Sequence, residues 1–95
     1  MNREQVLRIV YEAIDEVNQL LPATKRLRKA PDTVIVGAGG PLDSLGIVTL
    51  VIGVEDRIGE AVGRSIPLLD EKMLVEDSPL QTVDTLTDYI VARAV

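Results

Sequence analysis

The sequence predicts an all-α fold, in which a single domain over residues 1–95 forms a bundle of three main helices and one short helix. Two stretches of the chain place apolar residues three and four positions apart, which is the spacing of an amphipathic helix. A third stretch is apolar on nearly every side and contains no proline. Apolar residues make up 46% of the chain and only two residues are aromatic, so we expect a core of aliphatic side chains.

The first helix is expected to run from Arg3 to Leu20. Asn2 and Gln5 can form a capping box at its start, and Pro22 ends the pattern because proline has no backbone N–H to donate. The residues expected on its apolar face are Val6, Val10, Ala13, Ile14, Val17 and Leu21.

A long connection without helical periodicity is expected over residues 22–43. Its glycine-rich run at 37–40 is similar at first to a dinucleotide-binding turn. The third glycine of that motif would fall at Leu42, however, and Pro41 interrupts the helix that ought to follow. Long connections in small domains are often functional, and this one leads to Ser44.

The second helix is predicted over residues 45–62, with Ser44 as its N-cap. Five of its positions suffice to face the core, namely Ile47, Leu50, Val51, Val54 and Ile58. On another stripe, Val48 and Ile52 form an apolar track that leads from Ser44 towards Glu55 and Asp56. A helix this apolar in so small a domain is expected to present one face to partners.

Two further segments complete the predicted bundle. Asp70 can cap a short helix that extends through Val75. The last helix has two possible starts in the sequence, one at Ser78-Pro79 and one at Thr82. Its apolar face is expected to consist of Val83, Leu86, Ile90 and Ala94.

Composition excludes several classes of function. The chain contains neither Cys nor His, which removes disulfides, thiolate catalysis, imidazole bases and the usual zinc ligand sets. We therefore expect no metal site and no catalytic residue. The N-terminus lacks the apolar region of a signal peptide and the longest apolar run is interrupted by charges, so we expect a cytoplasmic protein without membrane insertion.

The charge of the chain is unevenly distributed. Its net charge is −5, which argues against nucleic-acid binding and favours basic protein partners. Residues 21–31 are the exception, because they contain four basic residues and no acidic one: Lys25, Arg26, Arg28 and Lys29. We interpret this basic cluster as a solvated part of the loop.

The strongest candidate site is the sequence Leu42-Asp43-Ser44-Leu45 at the junction of the loop and the second helix. A serine at a helix N-terminus lies among unpaired amides and the positive end of the helix dipole, where a phosphodiester is favoured. A plain capping serine is the alternative. No His or Lys lies close to Ser44 in the sequence to act as its base, so modification by another enzyme fits better than catalysis.

The chain resembles the acyl carrier protein family. The resemblance is carried in order by Asp43-Ser44-Leu45, the apolar helix ending in Glu55-Asp56-Arg57-Ile58, the pair Ile66-Pro67, and Thr82-Val83 followed by Leu86, Tyr89 and Ile90. It implies an acyl-carrier-protein-like four-helix bundle that is a monomer and not an enzyme. A phosphopantetheinyl transferase would use coenzyme A and magnesium to attach 4'-phosphopantetheine to Ser44, within a motif completed by Asp43 and Leu45.

The same resemblance implies partners and a role. The thiol of the arm would carry acyl groups as thioesters between loading, transferring and synthase enzymes of fatty-acid, other lipid or polyketide-like biosynthesis. The docking surface for these enzymes would consist of Val48, Ile52, Glu55 and Asp56.

The chain also departs from the family pattern. Pro41 replaces a glycine common in the family, and Gly46 and Thr49 replace residues that are often acidic in fatty-acid carriers. Because partner choice depends on charge complementarity, these differences favour a dedicated pathway. Two alternatives stay open: an aminoacyl or peptidyl carrier, to which the run from Leu42 to Gly46 is also similar, and an unmodified helical protein-interaction module.

Overall fold

The computed structural model describes residues 2–35, 44–64, 66–67 and 81–93, and these form a small all-α domain. The helices are α1 (Arg3–Asn18), α2 (Ser44–Val62) and α3 (Val83–Arg93), with a 3-10 turn at Ala23–Lys25 after α1. Helix α1 packs against both α2 and α3. The all-α fold is thereby confirmed, whereas the short helix predicted between Asp70 and Val75 lies outside the described residues.

Helix α1 begins as predicted and ends earlier. The side chain of Asn2 accepts from the Gln5 N–H at 2.9 Å and the Gln5 side chain accepts from the Asn2 N–H at 3.0 Å, which completes the capping box. The helix stops at Asn18 rather than at Leu20, so the predicted end was wrong by two residues. The N–H groups of Leu20 and Leu21 bond three residues back, at 2.9 and 3.2 Å, which tightens the chain into a turn before Pro22.

The chain after α1 is held to the end of that helix by Asn18. Its side chain donates to the carbonyl oxygen of Leu27 at 2.9 Å and accepts from the Leu27 N–H at 2.8 Å. The Leu27 side chain is buried in the core, in the middle of the basic cluster. The sequence pattern did not reveal this anchor, because it joins a helix end to a loop nine residues away.

The same connection is tied to the start of α3. Val34 and Thr82 form an isolated antiparallel bridge, in which the Ile35 N–H donates to the Gln81 oxygen at 2.8 Å and the Val83 N–H donates to the Thr33 oxygen at 3.0 Å. Ile35 is fully buried as a result. This part of the connection therefore packs against the core of the domain.

Helix α3 begins at the second of its two predicted starts. Thr82 acts as a cap, because its hydroxyl accepts from the Thr85 N–H at 3.1 Å while the Thr85 hydroxyl accepts from the Thr82 N–H at 3.0 Å. Val83, Leu86 and Ile90 are buried as predicted, and Ala94 lies outside the described residues.

Ion pairs accompany the apolar contacts between helices. Arg57 of α2 contacts Glu16 and Glu12 of α1, with nitrogen-to-oxygen distances of 2.7 and 3.6 Å. Arg3 of α1 contacts Asp88 of α3 at 2.9 Å and also pairs with Asp84. No helix within the described ranges is long and apolar enough to cross a membrane.

Candidate functional site

Ser44 is the first residue of α2, one position inside the helix compared with its predicted role as N-cap. A difference of one residue lies within the ordinary ambiguity of helix ends. The first four N–H groups of a helix have no partner within it, so the backbone around Ser44 is a favourable position for a negatively charged group. Asp43, which the sequence placed in the same motif, lies outside the described residues.

The core-facing side of α2 was predicted correctly. All five side chains assigned to it, Ile47, Leu50, Val51, Val54 and Ile58, are buried. Gly53 lies on the side of α2 that faces α1, since a Cβ built there would lie 3.7 Å from the Ala13 Cβ, an ordinary contact distance. The orientation of α2 leaves its opposite face on the outside of the domain.

The predicted docking residues lie on that outer face. Leu45 is 74% exposed and Ile52 is 44% exposed, whereas Val48 and Glu55 are half-buried and Asp56 is exposed. The backbone therefore places Ser44 at one end of a solvent-facing apolar track and the two acidic residues at the other end.

The start of α2 is electrically neutral in its side chains. Its first turn contains no acidic residue. The hydroxyl of Thr49 donates to the carbonyl oxygen of Leu45 at 2.8 Å, so it is engaged within the helix. Within the first turn of α2, a partner therefore meets apolar side chains and the positive end of the helix dipole.

An apolar groove lies between the end of α1 and the start of α2. It has a volume of about 210 Å³, and the described residues that line it are Val17, Leu20, Leu21, Leu45, Gly46 and Thr49. Leu20 projects from the turn after α1 and is 73% exposed. Sequence reasoning assigned Leu20 to the first helix and missed the groove, because its two walls come from separate parts of the chain.

A second depression, of about 300 Å³, is polar and lies beside the end of α1. Two of its lining residues, Asn18 and Arg26, already have structural roles. The Arg26 Nε donates towards the carbonyl oxygens of Asn18 and Leu21 at 3.2 and 3.4 Å. It thereby provides a hydrogen-bond partner for carbonyl groups at the end of α1 and in the turn that follows. This depression is accounted for by capping of α1.

The basic cluster is exposed, in agreement with its interpretation as a solvated loop. Three of its members also have structural partners. Arg26 caps α1, Lys29 pairs with Asp15 at 3.2 Å, and Arg28 lies 3.7 Å from Asp32. Within the described ranges, no group of three or more His, Cys, Asp or Glu residues could hold a metal ion.

No match to this chain was found among models of protein families, curated proteins or solved structures. The resemblance to acyl carrier proteins therefore depends on the residues and their arrangement alone.

Proposed function

We propose that the protein is an acyl carrier protein, in which Ser44 bears a 4'-phosphopantetheine arm that carries acyl groups as thioesters. One observation carries the proposal: Ser44 is the first residue of a long helix whose inner face is buried and whose outer face is apolar and exposed. A transferase would approach the outer face of this helix, where Leu45, the next residue, is 74% exposed. The helix N-terminus also favours the phosphodiester that the modification creates.

The arrangement of the bundle supports the same function. Bonds from Asn18 to Leu27, and the bridge between Val34 and Thr82, anchor the connection that leads to α2. These contacts hold the described part of the connection, up to Ile35, against α1 and the start of α3. A carrier needs a bundle that holds its docking helix in place, because partner enzymes recognise a preformed surface.

The chemistry would be supplied by partner enzymes. A phosphopantetheinyl transferase would transfer the arm from coenzyme A to the Ser44 oxygen, with loss of the serine proton and release of the nucleotide portion of coenzyme A. The domain itself would contribute recognition through Val48, Ile52, Glu55 and Asp56. The first turn of α2 has no acidic residue, and Gly46 and Thr49 are uncharged, which favours a dedicated lipid or polyketide-like pathway over bulk fatty-acid synthesis.

The second candidate is an unmodified helical interaction module. The exposure of Leu20 and Leu45, which line the same groove, favours it, since exposed apolar side chains close together indicate a binding surface. Incubation with coenzyme A, magnesium and a broad-specificity phosphopantetheinyl transferase separates the two functions. A carrier gains the mass of one phosphopantetheinyl group, whereas an interaction module keeps its original mass.

A further inference from the structure

The turn after α1 brings an exposed apolar side chain next to basic ones. Leu20 is 73% exposed in this turn and lines the apolar groove between α1 and α2. The Arg26 Nε donates to the carbonyl oxygens of Asn18 and Leu21, so the guanidinium group lies beside the turn that contains Leu20. Lys25 directly precedes Arg26, at the end of the 3-10 turn. Apolar and positive groups therefore share this end of the domain.

Two of the positive charges have no described counter-ion. Lys25 and Arg26 are exposed, and neither side chain pairs with a carboxylate of the described residues. The other two basic residues of the cluster each lie near one carboxylate, in the pairs Lys29–Asp15 and Arg28–Asp32. The surface beside Leu20 is thus positive, in a chain whose net charge is −5.

The groove opens beside this positive surface and can receive a side chain from another molecule. None of its six described lining residues is charged. Leu45, on the wall opposite Leu20, is 74% exposed, and the first turn of α2 contains no acidic residue that would repel a carboxylate. The volume of the groove, about 210 Å³, exceeds the roughly 150 Å³ of an apolar cavity that holds benzene, so one large apolar side chain has room there.

We propose that the groove and the positive charges beside it form a docking surface for an acidic segment of a partner protein. We call it the loop surface and define it by four residues: Leu20, Lys25, Arg26 and Leu45. An apolar side chain of the segment would enter the groove and contribute most of the affinity, while its carboxylates would contact the two basic residues and determine which partners bind. The docking residues predicted on α2 include two carboxylates and favour basic partners, so the domain would offer two surfaces of opposite preference.

A protein segment fits the loop surface better than a membrane or a nucleic acid does. The groove is a recess between two walls, which suits a single side chain, whereas a bilayer presents a broad surface. An extended anionic surface would also be repelled by a chain of net charge −5. A short acidic segment avoids this repulsion, because it approaches only the positive region and more distant charges are screened by salt.

The experiment uses a designed probe and the unmodified full chain, whose mass is checked beforehand. The probe is a short fluorescein-labelled amphipathic peptide with Leu on one face and Glu on the other. In two matched peptides, Gln replaces every Glu or Ala replaces every Leu. Fluorescence anisotropy measures Kd, and backbone amide shifts of the isotopically labelled chain locate the bound peptide. We expect the acidic peptide to shift residues 17–29 and 45–49, the Gln peptide to bind at least roughly fivefold more weakly, and the Ala peptide not to saturate.

Two matched pairs of variants test the two parts of the surface. Lys25→Glu should raise Kd roughly three- to tenfold, whereas Arg8→Glu, the same charge reversal at an exposed position of α1 outside the groove lining, should leave it nearly unchanged. Leu20→Gln should raise Kd roughly tenfold. Val34→Gln, at a residue that is 46% exposed and outside the lining, is its control. Circular dichroism verifies that all four variants fold.

Several results would overturn the proposal. These are equal binding of the acidic and Gln peptides, an unchanged Kd in Lys25→Glu or Leu20→Gln, and peptide-induced shifts centred on the outer face of α2. Binding to vesicles of phosphatidylcholine with phosphatidylglycerol, but not to the peptide, would assign the surface to a membrane. Shifts of the same residues that depend on protein concentration without peptide would assign it to a second copy of the chain. Because the chain is unmodified throughout, failure here leaves the proposed attachment to Ser44 untouched, and failure of that attachment leaves the loop surface to be judged by peptide binding.

Discussion

The guanidinium group of Arg57 in α2 lies with Nη2 2.7 Å from the Glu16 Oε2 in α1. Its Nη1 also donates to the carbonyl oxygen of Gly53 at 3.2 Å, one turn earlier in its own helix. Arg57 is only 28% exposed, whereas Glu16 is 56% exposed. This pair therefore lies at the edge of the apolar contact between α1 and α2, where it adds a polar contact to the buried face of α2.

We expect a coupling energy of about 0.5 kcal/mol between Arg57 and Glu16, because a partly exposed ion pair is screened by solvent. The measurement is a double-mutant cycle with Arg57→Gln and Glu16→Gln, using urea denaturation to obtain the free energy of unfolding. The coupling should decrease as salt is added. Arg8→Gln, an exposed position on α1 for which no ion pair is described, serves as the control and should show no coupling with Glu16. Additive effects of the two substitutions at low salt would contradict the prediction.

Replacing either of two glycines in or next to α2 by alanine should change the free energy of unfolding, but in opposite directions. A Cβ at Gly53 would lie 3.4 Å from the Arg57 Nη1 and 3.7 Å from the Ala13 Cβ, which are ordinary contacts. Gly53→Ala should therefore raise the free energy of unfolding by up to about 1 kcal/mol, through its higher helix propensity. Gly63 directly follows α2 and has φ +75°, a conformation that alanine rarely adopts. Gly63→Ala should therefore lower the free energy of unfolding by about 1 kcal/mol. Destabilisation by Gly53→Ala would show that the two helices are packed more closely than described.

The helices could be predicted from the sequence because their signals are local. The apolar spacing from Val6 to Val17 and the capping pair Asn2 and Gln5 identified α1, and the five inner positions of α2 followed from its periodicity. The end of α1 was placed too late because Leu21 continues the apolar spacing as far as Pro22, while the actual stop comes from backbone bonds three residues back.

The groove and the loop anchors could not be predicted, since they depend on tertiary contacts. Leu27 and Ile35 carry no periodic signal, yet both are buried by bonds to distant residues, Asn18 in one case and Gln81 in the other. The position of Ser44 at a helix start was predicted from local residue types. The apolar groove beside it requires the turn at Leu20 to lie against α2, which no local pattern encodes.

The two sides of α2 should tolerate charge very differently. Ile52→Glu changes a residue that is 44% exposed. We expect the melting temperature of this variant to stay nearly unchanged, while transfer of the arm to Ser44 becomes slower. Val51→Glu, the neighbouring position on the buried face, should lower the free energy of unfolding by several kcal/mol, since a buried charge has no partner there. Thermal denaturation and the rate of transferase modification test both variants. Unfolding of Ile52→Glu would mean that this side chain belongs to the core.

A transferase specialised for fatty-acid carriers should modify this protein less efficiently than a broad-specificity one. The first turn of α2 has no acidic residue with which basic side chains of such an enzyme could pair. Gly46→Asp combined with Thr49→Glu should raise kcat/KM for the specialised enzyme, and the gain should shrink with added salt.

Stability must be measured alongside these kinetics, because an acidic residue in the first turn also complements the helix dipole. The broad-specificity enzyme serves as the control and should respond much less to the added charge. Equal efficiency of the two enzymes on the original chain would contradict the idea that its surface differs from that of fatty-acid carriers.

The proposed attachment of a phosphopantetheine arm to Ser44 is tested by measuring the intact mass of the protein after transferase treatment. Three proteins are incubated with coenzyme A, magnesium and a broad-specificity transferase. They are the original chain, the variant Ser44→Ala, and a control in which both other serines are replaced, Ser65→Ala with Ser78→Ala. The carrier function predicts a gain of one phosphopantetheinyl group in the original chain and in the control, and no gain in Ser44→Ala. Labelling that persists in Ser44→Ala, or no labelling of the original chain, would contradict it.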